Sequence, residues 1–272
     1  GNYEGGNNTA AASKNFGATI TGSLNSIESA TASSGYSGVA NSIVGTANRT
    51  FNSNGSLIFG AGNEITNSVK NISAPTDGGA SAKDLADTLR SAVRNSESGG
   101  ATLAIGGGNK ADYTQKTSII GVNNTVTGTS RRPSTYNSIT GFKNAAANVN
   151  HVSVIGSENE IENTDDALVL GNKHKLAGAN GSVILGSGDS VITTSVENAV
   201  SIGHNANVQK AGGVALGSGS VASTEKGKVG YDISGADHSN DNTGVWKSTQ
   251  AAVSVGDTSK GITRQITGVA AG

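Results

Sequence analysis

His151, His174, His204 and His238 are the side chains of this sequence best suited to move a proton or to hold a transition metal near neutral pH. Two histidines share a metal on one helix face only at a spacing such as His-Glu-x-x-His, which brings both rings to the same side. No two of the four stand that close, so no metal ligand is expected. His174 and His204 lie in polar stretches just after a glycine and are expected at the surface. Serine, histidine and aspartate all occur, as a nucleophilic triad requires, but no spacing points to one. The run Gly106-Gly107-Gly108-Asn109-Lys110-Ala111-Asp112 looks like one nonapeptide of a calcium-binding roll. Its acidic position does not recur, and calcium is not expected. Gly60-Ala61-Gly62 and Gly217-Ser218-Gly219 fall short of a nucleotide-binding fingerprint and read as turn glycines. With no cysteine, thiol catalysis, Cys-type zinc sites and disulfides are excluded. The chain therefore reads as non-enzymatic, without cofactor or metal.

The elements that would position such residues are dictated by an unusual composition. Glycine supplies 40 of 272 residues, about twice the usual share, and charged residues, at 14%, fall well below the usual level. Aromatic residues make up 4%, so large rings cannot build the core. It must be thin and made of Val, Ile, Leu and Ala. A net charge of −1 lacks the basic footprint of a nucleic-acid binder, and nucleic acid is not an expected partner. No stretch approaches 18 consecutive apolar residues, and the first thirty residues lack the layout of a signal peptide. Direct membrane contact is not expected of this fragment; an export signal or anchor is expected outside it.

A short word recurs along the chain: β-prone residues ending in Gly, then x-x-Asn-x-apolar. Its glycines are Gly22, Gly45, Gly60, Gly106, Gly121, Gly141, Gly156, Gly171, Gly186, Gly203 and Gly217, and five of the ten intervals are 15 residues. Three residues on stands Asn25, Asn48, Asn63, Asn109, Asn124, Asn144 or Asn159. Five residues on comes an apolar side chain such as Ile27, Ile65, Val126, Ile161, Leu176, Val191 or Val208. Alternation such as Leu168, Leu170 or Val200, Ile202 places those pairs on one face of a strand, because successive side chains point to opposite sides. Gly and Asn tolerate positive φ, so both are expected to mark the turn between strands. One unit then makes two short strands and two turns, a single coil of a parallel roll. Such a coil buries too little to stand alone, which predicts stacking along one axis, lateral association, and an asparagine ladder along the turn.

The interruptions are equally legible. From Asn67 to Gly100 the pattern stops, and Ser81-Ala82-Lys83-Asp84 followed by Leu85, Leu89, Ala92 and Val93 predicts an N-capped amphipathic helix that leaves the roll. A second extension, Thr129 to Tyr136, predicts an exposed loop in which Arg131, Arg132 and Tyr136 are candidate ligand contacts. After Ala222 the repeat gives way to a polar stretch holding Trp246, the single tryptophan, and a boundary is placed near 224.

These words resemble the YadA-like head repeat of trimeric autotransporter adhesins, as in Asn198-Ala199-Val200-Ser201-Ile202-Gly203 and Gly213-Val214-Ala215-Leu216-Gly217. Lys228-Val229-Gly230-Tyr231-Asp232, Val245-Trp246-Lys247-Ser248-Thr249 and Ala252-Val253-Ser254-Val255-Gly256 are similar to the family's Trp-ring module. Ile262-Thr263-Arg264-Gln265-Ile266-Thr267-Gly268-Val269-Ala270-Ala271-Gly272 resembles the start of a neck. The resemblance implies an all-β fold, a left-handed parallel β-roll of 14–15-residue rungs assembled as a homotrimer, with one short helical insertion. It implies a head over 1–223 with the insertion at 67–100, a Trp-ring module over 224–261 with Trp246 at a trimer junction, and a neck from 262 to 272. It also implies display on the cell surface from a Gram-negative outer membrane, as the amino-terminal head of a long fibre. The expected function is multivalent, non-catalytic attachment to extracellular matrix, a cell-surface ligand or an inanimate surface. A passive spacer and a β-helix enzyme acting on carbohydrate or acyl groups are the alternatives. Asn41-Ser42-Ile43-Val44-Gly45 and Asn137-Ser138-Ile139-Thr140-Gly141 depart from the family's collagen-binding word, and collagen is not an expected ligand.

Overall fold

The computed structural model describes residues 1–6, 15–29, 37–69, 81–94 and 100–270. These fall into two compact units, Gly1–Ser153 and Val154–Gly272. In the first, the glycine-bearing strands Thr19–Ser23, Ser42–Thr46, Leu57–Ala61, Leu103–Gly107, Ser118–Val122 and Ser138–Phe142 lie side by side in chain order, all parallel. The strands that follow each of them, from Ser26–Ser29 to Ala145–Ala147, form a second parallel sheet with Tyr3–Gly6 at its edge. In this unit each glycine of the word pairs with the next: Gly22 with Gly45, then Gly60, Gly106, Gly121 and Gly141.

The second unit repeats the plan with shorter strands. Leu168–Leu170, Val183–Leu185, Val200–Ile202, Val214–Leu216 and Val253–Ser254 follow one another in one parallel sheet. Glu160–Glu162, His174–Ala177 and Ile192–Thr194 form another, and Asn207–Val208 pairs with Val221–Ala222. The chain is thus mostly β, with long all-parallel sheets and one α-helix among the described residues.

The core is one residue wide on each strand. Two positions before the glycine, Ile43, Ile58, Ala104, Ile119 and Ile139 are fully buried, as are Val154, Val169, Ile184 and Ala215 in the second unit. Opposite them lie Ile27, Ile65, Ala111, Val126, Ile161, Leu176, Val208 and Ala222. The residue immediately before the glycine faces outward, so Leu168 and Leu170 share a face as expected, but it is the outer one, and Val169 between them fills the core. Val191 is a correction to the inward set. The rung from Gly186 is longer by an outward bulge, which leaves Val191 61% exposed and puts Thr194 opposite Leu176.

Past its word glycine, each 15-residue rung has three left-handed residues rather than two turns. In the rung from Ser138 these are Lys143, Asn148 and His151, with φ of 54°, 53° and 54°. The extra corner is where the short strand Thr114–Gln115 pairs with Ser134–Thr135.

The insertion carries a helix, Ala82–Arg94. Ser81 caps it: its Oγ accepts from the Asp84 N–H at 3.2 Å, and the Asp84 carboxylate accepts from the Ser81 N–H at 3.3 Å. Leu89 Cδ2 stands 3.1 Å from where a Cβ on Gly17 would be, so the helix rests on the roll beside that glycine. Val69 is described, whereas residues 70–80 and 95–99 of the insertion lie outside the described set. No helix among the described residues is long and apolar enough to cross a membrane.

Candidate functional site

The recurring residues form one device. All eleven glycines of the word have φ between 103° and 151°, a region that side chains rarely adopt. A Cβ on Gly45 would stand 1.8 Å from the carbonyl oxygen of Gly60, and one on Gly60 equally close to that of Gly106. In the second unit a Cβ on Gly156 would meet the Gly171 carbonyl at 1.8 Å, and one on Gly171 the Gly186 carbonyl at 1.7 Å. The glycines are therefore required by contact between rungs, inside or at the end of a strand. The left-handed corner itself falls two residues later, at Ala47, Asn123, Lys143, Glu158, Lys173 and Asn205, with φ between 54° and 62°.

Asn25, Asn48, Asn63, Asn109, Asn124, Asn144 and Asn159 are buried and are not the left-handed residues. Their side chains hold the rungs together. The Asn48 backbone N–H and Nδ2 both donate to Asn25 Oδ1 at 3.0 Å, and Asn48 Nδ2 also donates to the Gly60 carbonyl at 2.6 Å. The pattern repeats through Asn63, Asn109 and Asn124, whose amides reach the carbonyls of Gly106, Gly121 and Gly141 at 2.9, 2.7 and 2.8 Å. Asn144 closes the first unit's ladder on Asn124 Oδ1 at 3.0 Å. Each oxygen that excludes a side chain from one glycine is thus the acceptor that its neighbouring asparagine needs. Asn2 belongs to the same ladder, accepting from Asn25 Nδ2 at 3.2 Å.

His174 occupies the asparagine slot after Gly171 and corrects the surface expectation: it is 2% exposed. Its backbone N–H donates to Asn159 Oδ1 at 2.9 Å, and its Nε2 lies 2.6 Å from the Gly186 carbonyl, the acceptor an asparagine amide would use. Nε2 must therefore carry the proton, which leaves the buried Nδ1 without a partner. Burial holds the imidazole pKa below its ordinary value, only partly opposed by the bond to Gly186. His204 is exposed and faces Asp189 at 3.2 Å.

Beyond the rung of Gly217 the strand Val253–Ser254 pairs only with Val214 and Ala215, and Arg264 lies against the glycine. A Cβ on Gly217 would meet its guanidinium at 2.9 Å, and that group donates to the carbonyls of Ser218 and Val255 at 2.7 and 2.6 Å. In the sequence Arg264 stands only in a neck-like run; its five guanidinium donors suit the several acceptors gathered there.

Outside the core, each unit carries a column of exposed apolar side chains on the glycine sheet. Leu57, Phe59, Ile120, Val122 and Phe142 are exposed in the first, and Ile155, Leu168, Leu170 and Leu216 in the second. Arg131 and Arg132 sit on an exposed turn closed by the Thr129 N–H donating to the Arg132 carbonyl at 2.9 Å. Tyr136 is exposed and stacks on His151, ring centres 4.7 Å apart.

Trp246 stacks on His238 of the same chain, centres 3.6 Å apart and planes within 9°. His238 Nε2 is 2.9 Å from Asp232 Oδ2, and Ser234 Oγ donates to that same oxygen at 2.8 Å. The hydroxyl thus bonds the carboxylate and not the imidazole, an order that does not activate a serine. The His238 bond, helped by those from Ser234, holds the Asp232 carboxyl down at about 2. Among the described residues no group of three or more His, Cys, Asp or Glu is placed to hold a metal.

Rungs in register, a glycine column and a buried amide ladder define a repeat-built, solenoid-like stack of parallel strands whose glycine-bearing sheet exposes apolar side chains. No family model matches the chain. Over 59 residues it is 54% identical to the autotransporter adhesin BadA of Bartonella henselae, a stretch covering 22% of this chain and 2% of that protein.

Proposed function

We propose that this chain is the non-catalytic head of a trimeric autotransporter adhesin, held on the surface of a Gram-negative cell and attaching it through many weak contacts. The similarity to BadA over 59 residues carries the reading. The exposed columns, with Phe59 and Ile120 in the first unit and Leu168 and Leu170 in the second, support lateral association, because contiguous apolar patches rarely face water in a monomer. Three copies, packed on this face of a left-handed roll, would cover it. In this reading residues 1–223 form the head, 224–261 a Trp-ring module with Trp246 near the subunit junction, and 262–272 the beginning of a neck. Arg131, Arg132 and Tyr136 offer exposed contacts to a matrix protein, a cell-surface ligand or an inanimate surface, and linked copies raise avidity without new contacts.

Sedimentation equilibrium tests the assembly: a mass of three chains is expected, and a monomer at micromolar concentration refutes it. Attachment of purified protein to coated surfaces tests adhesion. A trimer that attaches to no matrix protein, cell or plastic would leave a spacer.

A further inference from the structure

From Tyr113 to Ser153, where the first unit ends, the chain holds Lys116, Arg131, Arg132 and Lys143 and none of its 20 Asp and Glu. In a chain whose net charge is −1, these rungs are cationic throughout. The acid that precedes them, Asp112, is engaged within its own sheet: its carboxylate accepts from Thr66 Oγ1 at 2.6 Å and from Asn67 Nδ2 at 2.8 Å.

Register gathers three of the cations around one narrow face. Gln115 pairs with Thr135, and Thr135 with Asn150, so the side of the rung between its last two corners is a strip two residues wide, about 7 Å. One residue further on, Lys116, Tyr136 and His151 hold the same corner of successive rungs, with φ of 46°, 58° and 54°. Tyr136 and His151 are exposed and stacked there. At the other end of the strip stands the exposed turn of Arg131 and Arg132, where the Arg132 N–H donates to Thr129 Oγ1 at 3.0 Å. The strip between is polar: Thr135 Oγ1 donates to Asn150 Oδ1 at 2.7 Å, and Gln115 Nε2 to the Val69 carbonyl at 3.1 Å.

Cations at both ends of a hydroxyl and amide strip, with ring edges beside it, suit one class of ligand. Guanidinium forks take the oxygens of an anionic group two at a time, hydroxyls and amides exchange bonds with sugar hydroxyls, and aromatic surface covers sugar C–H groups. Nucleic acid calls for a longer basic track than three side chains. We infer that this face binds an acidic polysaccharide, with its carboxylate or sulfate groups on Lys116, Arg131 and Arg132 and its sugar rings along Thr135 and Tyr136. The inference rests on the proposed role of Arg131, Arg132 and Tyr136 as ligand contacts and gives that ligand a chemical class.

The intact protein is applied to immobilised heparin, to immobilised polygalacturonate and to a sulfopropyl resin, and eluted with salt. Retention on at least one polysaccharide to higher salt than on the resin is expected, and the polysaccharide that holds longer separates sulfate from carboxylate. Arg131→Gln with Arg132→Gln, and separately Tyr136→Ala, should weaken that binding about tenfold. Lys143→Gln with Lys175→Gln removes the same charge elsewhere and should leave binding unchanged. An unaltered far-UV signal checks that each variant is folded. Elution from both polysaccharides no later than from the resin, equal losses in the two charge variants, or equally firm retention on immobilised duplex DNA would overturn the inference. Attachment to protein-coated surfaces without polysaccharide retention would remove this inference and leave adhesion standing, whereas retention without attachment to any surface would do the reverse.

Discussion

The side-chain amide of Asn63 donates to the carbonyl oxygen of Gly106 at 2.9 Å although 43 residues separate them in the chain. The contact has the geometry of Asn48 on Gly60 and Asn109 on Gly121, so the insertion between them costs the ladder no register. Ser68 Oγ and Thr102 Oγ1 meet at 2.7 Å where the chain leaves and re-enters. Removing residues 69–99 and joining Ser68 to Gly100 restores a spacing of 15 residues between Gly60 and Gly106. That variant is expected to fold, with an unchanged far-UV strand signal and a stability within about 1 kcal/mol of the parent, since distant surface changes cost little. Loss of cooperative unfolding would show that the helix supports the roll through Leu89 and Gly17.

Two glycines of like backbone sign should respond differently. Gly60→Ala places a Cβ 1.8 Å from a backbone oxygen, whereas one on Gly108, at φ 64°, meets nothing within 4 Å. Urea titration is expected to show a loss beyond about 2 kcal/mol for Gly60→Ala and about 1 kcal/mol for Gly108→Ala, where only the left-handed backbone is penalised. Equal losses would refute the inter-rung contact as the reason for the glycine column.

Asn109→Ala removes the donor to Gly121 and the acceptor used by the Asn124 backbone and amide. Leaving those buried groups unpaired should cost about 2–4 kcal/mol, against a few tenths for an exposed asparagine. Hydrogen exchange at Asn124 N–H is expected to rise ahead of the remaining strands.

His174 makes stability depend on pH. Its folded-state pKa is lowered by burial, so the unfolded chain takes up the proton first as pH falls. Stability from this residue is complete above about pH 6.5, the unfolded value, and declines as pH falls below it. Denaturation midpoints at pH 7.5 and 5.0 should differ in the wild-type protein, and His174→Asn should remove this part of the difference. An undiminished pH dependence in His174→Asn would locate the sensitivity elsewhere.

The outer column separates folding from association. Phe59→Lys with Ile120→Lys alters side chains that face away from the core, so the strand signal should persist, while under the proposed trimer sedimentation should fall to the mass of one chain. Unfolding of the double variant would mean that the roll and the assembly form together.

The period, the glycine column and the asparagine slots were legible in the sequence. Each is a local requirement that recurs every rung, and a residue type tolerated in only one conformation or one contact leaves its mark each time. What the tertiary structure decided was which neighbour each residue meets. His174 reads as a polar turn residue until rung register places it over Asn159 and under Gly186. Val191 fits the apolar position by counting, but a bulge after Gly186 turns it out and brings Thr194 in. The alternation of Leu168 and Leu170 puts them on one face without saying which, and the fold makes it the outer one, with Val169 inside. His238 and Trp246 carry no shared motif; they meet because the loop between them closes. Spacing along a chain fixes what repeats, whereas inside or outside, and paired or unpaired, depend on contacts between segments that the spacing does not contain.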